Sequence, residues 1–269
     1  MDIVSATIQL YQQALREASR SFVQCWIIAL AVVAFAILLF VIMMMARSMG
    51  FLGGFLIGFG NAFFVGWTLR LVEQAVQGAR RLGWQDVWDS AGQYFGDVIT
   101  LGFILWIPLQ FLQMGMHSNP YGSLIVSAVF LLLFIVLNPI PEIIYQGRHG
   151  SPLDAMKDSY EFVLENWIEW FLPLALILAP LGLTFFFSVA GGGGRLVGLN
   201  FFQLLQFPFT VLTMWGQYLG LPEDITSLAV VLLTPLATIF MLFFRGHLFA
   251  ALSGTSRRQR LFKQRSFRG

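Results

Sequence analysis

Residues 25–72 read CWIIALAVVAFAILLFVIMMMARSMGFLGGFLIGFGNAFFVGWTLRLV. Two apolar runs, 25–46 and 51–72, flank a short turn that carries Arg47, Ser48 and Gly50. A bilayer core of about 30 Å is crossed by about 20 apolar residues in a helix, so this stretch predicts a transmembrane hairpin. Gly50, Gly53, Gly54, Gly58, Gly60 and Gly66 interrupt the second run. Their missing side chains let a neighbouring backbone approach closely, as small residues do between membrane helices.

Outward from this hairpin, runs of the same kind recur at 98–116, 123–145, 167–190 and 226–249. The sequence therefore predicts an all-α polytopic membrane protein with six spans. Composition points the same way: 57% of the 269 residues are hydrophobic and 11% are charged, with a mean hydropathy of +0.74. A soluble domain carries roughly a quarter charged residues, so too few remain here to coat a water-facing surface.

The net charge of +2 hides a strong segregation. With six spans, Arg16, Arg20, Arg70, Arg80, Arg81, Arg148, Lys157 and Arg245 share one side with Arg257, Arg258, Arg260, Lys263, Arg265 and Arg268. Arg47 and Arg195 fall opposite. Basic residues accumulate on the cytoplasmic side, which predicts cytoplasmic termini in a cell membrane, as in a bacterial inner membrane. The first 24 residues hold Asp2, Arg16, Glu17 and Arg20 and no continuous apolar core, so an uncleaved first span is expected. The single cysteine, Cys25, excludes an internal disulfide and is expected to pack as a small hydrophobe.

Residues 196–219 are apolar enough to suggest a further span, yet one would send the basic tail to the other side. Asn200, Gln203, Gln206, Thr210, Thr213 and Gln217 form a stripe at helical spacing. The expectation is an uncharged amphipathic helix, bent near Pro208, that lies in the outer interface or dips in and returns.

An internal repeat is visible at an offset of 69 residues. Glu73 falls on Glu142, Gln77-Gly78 on Gln146-Gly147, and Asp89-Ser90 on Asp158-Ser159. Ala14–Ala18 with Trp26 parallel Ala155–Ser159 with Trp167. Each pre-span segment is amphipathic at steps of three and four. The sets are Val4, Ile8, Tyr11, Leu15, Ala18, Phe22 and Trp26; then Trp84, Val87, Trp88, Ala91, Phe95 and Val98; then Leu153, Met156, Tyr160, Val163 and Trp167. Residues 1–256 are thus expected to form one membrane domain of three parallel helical-hairpin repeats, about 1–80, 81–150 and 151–256. Interfacial helices precede the spans, and a basic tail occupies 257–269.

Residues 138–167, NPIPEIIYQGRHGSPLDAMKDSYEFVLENW, resemble a loose superfamily of bacterial polytopic membrane modules of unknown function. It includes the membrane domain fused to some glycerophosphodiester phosphodiesterases. The resemblance covers mainly 138–180. It implies a multi-span fold without catalytic residues, because the phosphodiesterase activity belongs to a separate soluble domain, for which this stretch leaves no room.

Ionisable groups inside a bilayer mark transport paths and proton relays, because they are costly there. Here they sit at span ends: Arg70, Glu73, Glu142, Arg245 and His247. Glu73 and Glu142 either pair with Arg70 or Arg245 across hairpins or face interfacial water. At membrane depth Asn61, Gln110, Gln113 and Asn138, with Pro139 and Pro141, offer either interhelical hydrogen bonds or a small polar path. His117, His149 and His247 have no carboxylate or second histidine at ligand spacing, so no metal or other cofactor is expected. No HExxH, GxSxG or P-loop pattern occurs: the run Gly191–Gly194 lacks the strand, Lys and Ser or Thr of a phosphate loop.

The tail cations, Arg257, Arg258, Arg260, Lys263, Arg265 and Arg268, are expected to adhere to anionic inner-leaflet lipid or to dock an acidic partner. No folded reading module accompanies them, so nucleic acid is not expected. The reading is a non-enzymatic membrane scaffold or accessory subunit that contacts lipid, a membrane protein partner or a second copy. The alternative is a transporter or permease-like component with a polar path through the bundle.

Overall fold

The computed structural model describes residues 3–78, 81–147, 150–181 and 201–253. Its ordered elements there are all helical: α1 (Ile3–Gln24), α2 (Ile27–Ala46), α3 (Phe51–Gln77), α4 (Trp84–Asp89), α5 (Phe95–Met116), α6 (Gly122–Val136), α7 (Ile140–Gln146), α8 (Pro152–Leu178, continued by a 3-10 turn over Ala179–Leu181), α9 (Phe201–Tyr218) and α10 (Glu223–Ser253). Six segments are long and apolar enough to cross a membrane: Ile27–Ala46, Phe51–Gln77, Phe95–Met116, Gly122–Gln146, Pro152–Leu181 and Glu223–Ser253. The six expected spans are all present. The residues of the fifth expected span beyond Leu181, and the basic tail, lie outside the described residues.

α2 and α3 form the antiparallel hairpin read from residues 25–72. Phe35 of α2 stacks on Phe64 at 5.2 Å and on Trp67 at 4.5 Å. α5 crosses α3 at Gly66, where a Cβ atom would stand 2.8 Å from the Tyr94 carbonyl carbon. There glycine allows backbone to touch backbone. Gly54 and Gly58, by contrast, have nothing within 4 Å of a Cβ position, so the expected close approach is confined to part of the glycine series.

The fourth span is broken. Pro139 and Pro141 lack an N–H, so the helical ladder lapses over 137–139 before α7 begins. Ser159 Oγ donates to the Val136 carbonyl at 2.7 Å and Arg245 Nη2 to the Asn138 carbonyl at 2.6 Å. Carbonyls that the lapse leaves open must be bonded by protein at this depth, and these two are. α8 breaks at Asn166, whose φ of −126° is not helical and whose side chain donates back to the Phe162 carbonyl. This joint separates the amphipathic part of α8 from its membrane part, as the Cys25–Trp26 turn separates α1 from α2.

α1 packs lengthwise and antiparallel on the last turns of α10, with Ala14 and Ala18 buried in the contact and Phe22 edge-on to Phe240. Its Tyr11 hydroxyl donates to the Glu169 carbonyl at 2.8 Å. Burial, then the Glu169 charge, pushes that phenol up to about 12. Trp26, Trp84, Trp88 and Trp167 gather at this end, each more than half exposed, as rings at a headgroup boundary are. The end that carries α1 and the finish of α10 is called here the terminal end, and the opposite one the turn end.

Two expectations are corrected. The segment 84–98 is not one amphipathic helix: α4 stops at Asp89, and 90–94 are turns with Gly92 at φ +77°. Of the two placements expected for the helix within 196–219, the one flat in the outer interface is overturned. α9 runs antiparallel along α10, with Gly216 against Thr226 at the turn end, while Thr238 Oγ1 donates to the Leu204 carbonyl. It continues through Pro208, which is buried, whereas Gln206 and Gln217 point outward.

Candidate functional site

Both membrane-end glutamates are paired, each differently. Glu142, in the first turn of α7, is fully buried. Arg245 of α10 grips it with Nε to Oε1 at 2.8 Å and Nη2 to Oε2 at 2.9 Å. The guanidinium also stands 5.1 Å over the Trp170 ring, and Trp170 Nε1 donates to Asn138 Oδ1 at 2.9 Å. A planar, weakly hydrated guanidinium suits this role, since it forks onto a carboxylate and stacks on an aromatic face at once. The pair therefore joins α7 to α10. Glu73 instead pairs within its own helix, with Arg70 at i,i+3, and accepts from Tyr94 Oη at 2.7 Å. Burial, then the bond to Glu73, raises the Tyr94 phenol above its ordinary range.

A belt of side-chain bonds links the terminal ends of α3, α7 and α10. Gln77 Nε2 donates to the Tyr145 carbonyl at 3.2 Å, and Gln146 Nε2 to the Gly246 carbonyl at 2.9 Å. His247 Nε2 lies 3.0 Å from Ser21 Oγ, which reaches the Ala75 carbonyl at 3.2 Å. Inside this belt three helices touch: a Cβ at Gly246 would stand 2.6 Å from Tyr145 Oη and 2.9 Å from Val76 Cγ2. Only glycine at 246 leaves room for both.

His247 has a second partner that the sequence did not disclose. Its Nδ1 lies 3.4 Å from Glu17 Oε2, so Ser21, His247 and Glu17 have the order of a hydrolase triad. The donors run the wrong way for one. The Ala75 carbonyl can only accept, so the Ser21 proton goes to it and the imidazole donates to the Ser21 oxygen. Ser21 also sits in the last turns of α1, nearly buried. The constellation works as a clamp between α1, α3 and α10. Glu17 and Ser21 share one face of α1, but nothing in sequence joined that face to a residue in the last helix.

A cavity of about 220 Å³ lies between α5, α6, α8, α9 and α10. Its walls are apolar apart from Asn138, Trp170 and Arg245 at one end. Asn61 is half-buried on α3, and Gln110 and Gln113 are exposed on α5. None of these three lines the cavity. His117 is exposed, while His149 and the tail cations Arg257, Arg258, Arg260, Lys263, Arg265 and Arg268 lie outside the described residues. Among the described residues no group of three or more His, Cys, Asp or Glu is placed to hold a metal ion. Cys25 is buried, and burial raises its thiol, which keeps it a packing residue.

Fold and site together define an all-α integral membrane protein that crosses the bilayer repeatedly and carries several polar bonds between helices at one end. Comparison with protein-family models, with curated proteins and with solved structures returned no match.

Proposed function

We propose that this chain is a non-enzymatic membrane scaffold or accessory subunit, built from three like-oriented hairpins whose terminal end faces the cytosol. The single observation that carries this reading is the belt. Gln77 and Gln146 stand 69 positions apart, and each donates from one hairpin to a backbone carbonyl of the next. His247 with Ser21 closes the circuit onto Ala75, beside Val76. Val76 and Tyr145 share the offset of 69 residues and meet at Gly246. A pseudo-threefold arrangement of parallel repeats accounts for all of this, as internal repeats about the membrane normal do. The resemblance of 138–180 to polytopic modules without catalytic residues belongs to the same proposal. In such a unit polar groups serve to lock hairpins together, leaving the amphipathic segments and basic tail to meet lipid or a partner. A transport path fits less well, because the cavity meets Asn138 and Arg245 at one end only, is apolar elsewhere, and touches neither Asn61 nor Gln110.

Native mass spectrometry of the full chain, purified in mild detergent from its own membrane, tests the reading. A protein partner at fixed stoichiometry is the expected result. Saturable solute uptake by proteoliposomes that contain this chain alone would overturn it.

A further inference from the structure

We propose that the cavity between α5, α6, α8, α9 and α10 seats one acyl chain of a membrane glycerolipid, whose ester carbonyl is held by Arg245 and Asn138. Leu101, Leu105, Leu133, Phe134, Leu174 and Phe207 make its walls wholly apolar away from the polar end. Walls of that kind cannot hold water, which needs two or more polar partners. Left empty, they would forgo their dispersion contacts. The cavity is neither sealed nor a flat groove, and few residues of the third and fourth spans, which contain α5 and α6, are buried. The medium that reaches it is lipid.

The polar end sets the chemistry of the occupant. Arg245 spends Nε and Nη2 on Glu142 and the Asn138 carbonyl, while Nη1 has no acceptor among the described residues. Asn138 uses its Oδ1 for Trp170, and its amide nitrogen likewise has no acceptor there. Two donors therefore remain beside a guanidinium whose charge Glu142 already balances. Such a site favours a neutral oxygen acceptor over a free anion, which the Glu142 carboxylate would repel. Depth agrees: Trp170 stands three residues, or about 4.5 Å of helix rise, inside the exposed Trp167 ring. That is the level just under the headgroups, at the acyl boundary.

This inference goes beyond the scaffold reading and does not depend on a protein partner. The full chain in nanodiscs is labelled with phosphatidylethanolamine that carries a diazirine on one acyl chain, and the adducts are mapped by mass spectrometry. Adducts concentrated on the cavity walls are expected. They should fall several-fold in Leu133→Trp, which fills the cavity, and persist in Leu132→Trp, whose side chain faces outward. Adducts spread evenly over the exposed faces of α2 and α5 in the unaltered chain would overturn the proposal, whatever the variants do. Equal labelling of the two variants, or preferential labelling by a diazirine fatty acid with its free carboxylate, would overturn it as well.

Discussion

The two ends of this bundle use the same apolar side chains and are held together differently. At the terminal end, Ile28, Leu69, Leu71, Phe243 and Leu248 are buried almost completely, and polar bonds run between α1, α3, α7, α8 and α10. At the turn end, Phe51 is 82% exposed, and Phe111 and Leu124 are 67% exposed. In water that surface would be driven inward. In a bilayer the tails are as apolar as leucine, so apolar contact does not choose protein over lipid. Helix association must then come from close fit and from polar groups that have no partner in lipid. The polar bonds are concentrated at the terminal end, whereas close fit is found at both, as where Gly216 meets Thr226 at the turn end.

The contrast can be broken most directly at Glu142. Glu142→Ala leaves Arg245 with its charge uncompensated at a partly buried site, and loss of up to about 3 kcal/mol is expected. Reversible unfolding in mixed micelles measures it. The double variant Glu142→Leu with Arg245→Met should recover much of the loss, since a buried ion pair is exchangeable for packed apolar groups. A single variant as stable as the parent would show that the terminal end is not held by this pair.

A second test compares two glycines. Gly246→Ala drives a methyl group into Tyr145 and Val76, and overpacking of this sort costs about 1 to 3 kcal/mol. Gly58→Ala, in open space on α3, should change stability by no more than about 0.5 kcal/mol. Equal effects would erase the distinction between the ends. The smallest expected effect sharpens it: Gln77→Ala removes one belt bond, and interhelical bonds in membranes average about 0.6 kcal/mol. A loss above that in Gln77→Ala, which disappears when Gln146 is also replaced by Ala, would show that the belt acts as a unit.

Much of this architecture was legible because lipid simplifies the code. Long apolar runs gave the spans and the prolines at 139 and 141 the break in the fourth, while the position of Glu142 at a span end left open whether it pairs with Arg70 or Arg245 or faces water. The repeat offset singled out Gln77 and Gln146 before their partners were known. The clamp of Glu17, Ser21 and His247 was not legible, since it joins residues 226 positions apart through a packing of α1 on α10 that periodicity does not encode. The placement of α9 was left open between two alternatives for a related reason. Its polar stripe described one face, whereas the opposite face, with Pro208, Val211 and Gly216, decides where it lies. Gly92 ended α4 early by adopting a backbone conformation that an amphipathic pattern cannot announce.

The packing of α1 on α10 orders events during synthesis. α1 leaves the ribosome before α2 to α10, yet the surface that covers Ala14, Ala18 and Tyr11 is made by α8 and α10. Through the insertion of the intervening spans the first helix has only its bonds to α3 and then α8, and its long packing on α10 is a non-local contact of the kind that forms slowly. A nascent chain released before Phe249 and Leu252 would carry that helix uncovered, exposing a surface by which quality control can tell a finished molecule from an unfinished one.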